Sequence, residues 1–478
     1  MFIALAIILF ALGSALVDTL GIWLLFFCQL ALLLGEVRRG QVGGTGGFIF
    51  MSFLFFGIRP LFISLEGDIL LIRRLFLINP EMSQVHENMM MATLALIFFK
   101  LGSFAVQSLK SGNFANRSAR ESNALALVPD YLVRYLMIAQ IITLPVMLYL
   151  ASGGRALYGS ALGAFAYDFP TVMQAVHIFG FVVILERYLQ RRQSNELMLA
   201  IVSGVLFLVF TWFMREVSMF RGFYLAGVMI VGLASLDRLL PRVSLLWLIL
   251  PILLLQPLFQ ILGSTRYLDN ESLKEADVIE QAIGDRSLPQ AYWEFYDGQG
   301  DINIFDTFLA ARASNPQASP YLWSWIYAPL HVIPRALWSG KPEKGITQDL
   351  NFMYGAPYAP GIAGFFWLDG GGSDLWMLAC MIALGALIGY VDGFVLSMRN
   401  SYLRACLLGI ITVNAMFLTR FFLWQALWQT MYAVVPILLM NRFLAPGLVS
   451  NEEGENEDQA TENDQPSHKG AHLYDRNV

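Results

Sequence analysis

Residues 373 to 397 read SDLWMLACMIALGALIGYVDGFVLS, an apolar run long enough to cross a bilayer as one helix of ~20 residues. Runs of the same kind recur at roughly 2 to 17, 19 to 35, 46 to 64, 88 to 109, 132 to 151, 171 to 189, 197 to 214, 222 to 236, 244 to 262, 404 to 420 and 423 to 441. Together they predict an all-α polytopic membrane protein with about twelve transmembrane helices, the first two forming either a tight hairpin around Asp18 or one longer element. Composition agrees: 478 residues, 56% hydrophobic, 14% charged and a mean hydropathy of +0.56 are too apolar for a soluble chain of this size. The first run has neither a basic flank nor a small-residue cleavage site, so it reads as a retained span.

The net charge of -5 is located almost entirely at one end. Residues 450 to 478 hold eight acids against two bases and almost no aromatic side chains, the composition of a disordered tail. Cys28, Cys380 and Cys406 all lie inside apolar runs and read as small buried hydrophobes, not as a disulfide framework. With the N-terminus in the cytoplasm, Arg38, Arg39, Lys110, Arg117, Arg120, Arg187, Arg191, Arg192, Arg238, Arg242, Arg399, Arg404 and Arg442 all fall on that side, as the positive-inside rule requires. The domain plan is then helices over 1–262, a large outer connection over 263–372, the last helices over 373–445 and an acidic cytoplasmic tail over 446–478. No internal repeat is evident, which weakens an inverted-repeat transporter.

A second set of basic residues runs against that trend, on or near the outer face: Arg59 in FFGIRPLF, Arg215 and Arg221 in the turn MREVSMFRG, Arg420 in FLTRFFLW, Arg335 and Lys341 in the connection, with Arg73, Arg74, Arg155, Arg266 and Lys344. Such positions are costly without an anionic partner. Several converging guanidinium forks suit a pyrophosphate, whereas a single one is as readily explained by snorkelling or by pairing with Glu66, Asp68 or Glu216.

The connection contains YWEFYDGQGDINIFD at 292–306 and the proline-broken segment SPYLWSWIYAPLHVIPRALWSGKPEKG at 319–345. Broken backbone with fixed charge is tolerated at membrane depth only where protein buries it or water reaches it, so this segment reads as the lining of a site. His331 precedes Arg335 by four residues and shares a face with it if the segment is helical. Neutral imidazole there is a candidate base for a sugar hydroxyl, a hydrogen-bonded scaffold histidine being the alternative. Glu294, Asp297, Asp301 and Asp306 are competing carboxylates, each explained as well by solvation in a loop. Trp293, Trp323, Trp325, Trp338 and Trp367 suit sugar stacking or an interfacial aromatic belt. Gly370, Gly371 and Gly372 before Ser373 and Asp374 suit an anion cradle or a plain turn, and GGTGG at 43–47, lacking the lysine of a nucleotide-binding loop, reads as a linker. No Asp-x-Asp pair, zinc-type spacing or nucleotide fingerprint is present, which disfavours a metal centre, a cofactor and a nucleic-acid or nucleotide-sugar partner.

These pieces occur together in a known family. On FFGIRPLF at 55–62, MREVSMFRGFYL at 214–225, VIPRALWSGKP at 332–342, LDGGGSDLW at 368–376 and TRFF at 419–422, the chain resembles the Wzy-type bacterial oligosaccharide repeat-unit polymerases of O-antigen or capsule. The resemblance implies a GT-C-like helical fold in the bacterial inner membrane, with cytoplasmic termini and a large late periplasmic loop. It implies glycosyl transfer between undecaprenyl-diphosphate-linked oligosaccharides, independent of metal, with a possible chain-length regulator as partner. On that reading Arg335, Arg215, Arg221 and Arg420 bind the diphosphate, Arg59 and Lys341 support them, and His331 is the base. An O-antigen ligase and a polysaccharide flippase or transporter are the alternatives.

Overall fold

The computed structural model describes residues 2–17, 19–39, 43–66, 81–120, 128–153, 163–217, 219–236, 304–313, 325–326, 330, 360–398, 400–419 and 423–444. Among these every regular element is helical: α1 Phe2–Ala15, α2 Thr19–Arg39, α3 Gly44–Phe53, a π-helical turn Leu54–Ile58, α4 Arg59–Glu66, α5 Met82–Arg120, α6 Asp130–Gly153, α7 Gly163–Arg191, α8 Ser194–Val217, α9 Met219–Ala234, α10 Ile304–Ala313, α11 Gly361–Asp369, α12 Asp374–Leu396, α13 Ser401–Leu418 and α14 Leu423–Leu444. Eight stretches of the described residues are long and apolar enough to cross a membrane: α2, Gly44–Leu65, Met82–Ser108, Asp130–Tyr149, Phe169–Arg191, Ser194–Met214, α12 and α13. The chain is a helical membrane protein. Of the remaining expected spans, Phe2–Ala15 and Tyr224–Ala234 are apolar but shorter, α14 has 22 residues, and 244–262 lies outside the described residues.

The bundle is built around α3, in which every residue is buried. A helix apolar all round is a core helix, and small residues let its neighbours approach. A Cβ on Gly47 would lie 2.9 Å from the Thr412 carbonyl oxygen of α13. The α5–α12 pair uses the same device: Gly385 and Gly389 form a Gly-x-x-x-Gly ridge, and a Cβ on Gly389 would lie 2.8 Å from the Ser103 Cα. At the periphery, α6 exposes Ile138, Ile141, Ile142 and Leu148, and α8 exposes Ile201, Val205, Leu208 and Trp212. These apolar faces are what lipid contact demands.

GGTGG is not a linker. Gly44 and Thr45 open α3, and since Gly43 has no side chain to cap it, the carboxylate of Asp392 on α12 does so from 348 residues away. Gly44 N donates to Asp392 Oδ1 at 2.7 Å, and Thr45 N and Oγ1 both donate to Oδ2 at 2.8 Å. Near this end of the bundle a buried Lys100–Glu36 ion pair joins α5 to α2. Arg187 and Arg191, expected only as topology markers, pair with Asp130 and Glu196 and tie α6, α7 and α8 together.

The three glycines at 370–372 are not an anion cradle. The amides of Gly370, Gly371 and Gly372 donate to the carbonyls of Phe366, Leu368 and Trp367, closing α11. Gly371 and Gly372 adopt φ of +64° and +85°, which favours glycine, and Ser373 then caps α12 by accepting from Trp376 N at 3.3 Å.

Candidate functional site

At the opposite end from Asp392, α3 is interrupted by the π turn Leu54–Ile58, which leads directly into Arg59. The cause is in FFGIRP. Pro60 has no N–H for the Phe56 carbonyl, and its ring crowds that carbonyl, so a regular α-helix cannot continue. The side-chain amide of Gln29 on α2 fills the gap, donating to Phe56 O at 3.1 Å and to Thr93 Oγ1 at 2.9 Å.

Arg59 then meets Asp306 of α10. Its Nε donates to Oδ1 at 3.2 Å and to Oδ2 at 3.3 Å, and its Nη2 to Oδ2 at 3.1 Å. Both side chains are fully enclosed, at 1% and 0% exposure. Burial pushes the Asp306 carboxyl up from its ordinary value, and the Arg59 charge and hydrogen bonds pull it back down. From sequence, Glu66, Asp68 and Glu216 are the carboxylates available to a single outer arginine, and Asp306 is a solvated loop acid or a candidate base. Instead the two candidates bond to each other across 247 residues.

Aromatic packing joins the same two segments. Phe56 stands edge-on to Phe305 and Phe308, with ring centroids 6.5 and 5.7 Å apart. Six residues after Asp306, Arg312 pairs with Asp374 at the start of α12 and with Glu87 of α5. Its guanidinium carbon also lies 5.4 Å from the ring centre of Trp367. Helix α10 is thus fixed at both ends by charge and along its length by apolar burial.

Gly361 joins α11 to the same place. Its φ of +70° favours glycine, and a Cβ there would lie 2.6 Å from the Thr419 carbonyl oxygen and 3.1 Å from both Ile304 Cγ2 and Phe56 Cζ. A narrow, mostly apolar cleft runs beneath, lined by Gln29, Ser52, Phe56, Ile362, Met381 and Thr419. Trp325 stacks on Phe366 with centroids 5.5 Å apart and donates to Cys380 Sγ at 3.2 Å, so this tryptophan packs on protein.

Helix α9 runs antiparallel to α13: Asn414 Nδ2 donates to Tyr224 Oη at 3.1 Å, Gly227 faces Val413 and Gly232 faces Ala405. The Met219 end of α9 is thereby brought beside the Leu418 end of α13. Positions 215 and 221, at the close of α8 and the opening of α9, and Thr419, which precedes Arg420, therefore share the end of the bundle that holds Arg59 and Asp306. His331, Arg335, Lys341, Arg420 and Glu294 lie outside the described residues.

Gln29, Asp392 and Arg312 are not singled out by the sequence reading. A glutamine in the middle of an apolar span and an aspartate inside the run 373–397 were the available signals. Among the described residues no three His, Cys, Asp or Glu side chains gather as a metal site would need. No family model, curated protein or solved structure matches the chain.

Proposed function

We propose that the protein is a polymerase of undecaprenyl-diphosphate-linked oligosaccharide repeat units in the bacterial inner membrane. In this reading it is a GT-C-like protein of about twelve spans with cytoplasmic termini, and the Arg59 end of the bundle faces the periplasm. One observation carries it: positions 215 and 221 and the residue before Arg420 collect at the end where α10 and α11 dock.

The chemistry needs fixed positive charge without reorganisation. The acceptor sugar hydroxyl attacks the anomeric carbon of the donor, the bond to the diphosphate oxygen breaks, and undecaprenyl diphosphate leaves with the electron pair. Arg335, Arg215, Arg221, Arg420 and Lys341 stabilise the charge that develops on it. His331 takes the hydroxyl proton, with Glu294 the next candidate. Asp306 is not the base in this reading, because Arg59 occupies both of its oxygens.

A deletion strain tests the proposal through its lipid-linked glycans. Accumulation of single repeat units with intact ligation is expected. Long unligated chains would make the protein a ligase, and repeat units confined to the cytoplasmic leaflet would make it a flippase.

A further inference from the structure

A buried ion pair that lacks one partner is strongly destabilising, yet an apolar pair of similar volume replaces it at little or no cost. The Arg59–Asp306 pair has the setting in which that asymmetry is largest. Both side chains are enclosed, three hydrogen bonds join them, and Phe56 packs edge-on against Phe305 and Phe308, which flank Asp306 in the chain. It also joins parts of the chain far apart in sequence: Arg59 opens α4 at the interrupted end of the central helix, and Asp306 belongs to α10, the first described element of the late connection. Helix α10 packs against α11 at the Ile304–Gly361 approach and is tied to α12 through Arg312 and Asp374.

We propose that Arg59 and Asp306 are a positioning pair. Neither binds the donor nor moves a proton, and together they dock α10, and through it α11, onto the spanning bundle. Glycosyl transfer then requires the docked arrangement, not the identity of either residue. This rests on the polymerase reading only for its activity readout.

The test uses full-length protein in lipid nanodiscs, with hydrogen exchange over 304–313 and 361–369 beside polymer formation in the deletion strain. Asp306→Asn and Arg59→Met are each expected to speed exchange of α10 by on the order of a hundredfold and to abolish polymer. The double variant Arg59→Met with Asp306→Leu, and the reversed pair Arg59→Asp with Asp306→Arg, supply two independent routes back. Slow exchange together with polymer in either double is the expected result.

Three results would overturn it: unchanged exchange of α10 in Asp306→Asn; slow exchange but no polymer in both doubles, which would put one of the residues on substrate; and fast exchange in both doubles. If α10 undocks and redocks as expected while the native protein makes no polymer, the positioning pair stands and the polymerase reading falls.

Discussion

The side-chain amide of Gln29 donates to the main-chain carbonyl of Phe56, the carbonyl that Pro60 deprives of its α-helical donor. A proline inside a helix costs ~3 kcal/mol or more, and in a bilayer a stranded carbonyl adds to that because no water replaces the lost bond. Here the cost is offset by a neighbouring helix. Gln29 is itself held by Thr93, whose hydroxyl donates to Met89 O at 2.7 Å. The consequence is geometric: the turn preceding Arg59 is π-helical, which resets the direction in which that guanidinium leaves the central helix toward α10.

Gln29→Leu is expected to lower the stability of detergent-purified protein by ~1–3 kcal/mol, the cost of a buried acceptor left without a donor. Adding Pro60→Ala restores an N–H at position 60 and should recover most of the loss. Apparent melting temperatures of the two single variants and the double check this. A double no more stable than Gln29→Leu alone would refute the account of the π turn.

Asp392 makes a parallel prediction at the other end. Its carboxylate accepts from Gly44 N, Thr45 N and Thr45 Oγ1, so Asp392→Ala removes the cap of the central helix and leaves buried donors unmet. A loss of ~2–4 kcal/mol is expected, with Asp392→Asn retaining part of it through one amide oxygen. Equal melting temperatures for Asp392→Ala and the native protein would show that α3 does not depend on this cap.

The spans were legible because an unbroken run of ~20 apolar residues matches the thickness of a bilayer and suits little else. The interactions that hold the spans together were not, for a reason visible in particular pairs. Arg59 had carboxylates close by in sequence, but its partner lies 247 residues on; Gly43 has no capping side chain, and the group that caps Gly44 lies 348 residues beyond Gly44. Local pattern identifies an expensive group without identifying what satisfies it. The glycine runs misled for the same reason: whether an amide faces a ligand, a carboxylate or its own helix depends on the fold around it. At GGTGG it faces Asp392, and at Gly370–Gly372 it faces α11.

Orientation is open to direct measurement. Reporter fusions or cysteine labelling at Asn303 and Asn463 should report opposite sides of the membrane, the first periplasmic and the second cytoplasmic. Both positions on one side would overturn the placement of the arginine-bearing end and, with it, access to a lipid-linked donor from the periplasm.

The last prediction separates arginines that bind an anion from the one that positions a helix. Replacing arginine by lysine keeps the charge and removes the planar fork that grips two oxygens at once. At Arg335, Arg215, Arg221 and Arg420 the partner is proposed to be the donor diphosphate, so each lysine variant should lose ~10²–10³-fold in turnover, the effect of deleting one fixed donor to a developing charge. At Arg59 the partner is Asp306, already enclosed, and a lysine ammonium still pairs with that carboxylate by one contact. Arg59→Lys should therefore keep most of its activity and lose only stability. Polymerisation by purified variants, normalised to folded protein, gives the comparison, and inorganic pyrophosphate added as a competitor should inhibit Arg59→Lys to the same extent as the native protein. Near-native turnover in all four of the other variants would remove the diphosphate site, and a loss in Arg59→Lys as deep as theirs, with α10 still docked, would place Arg59 on the substrate.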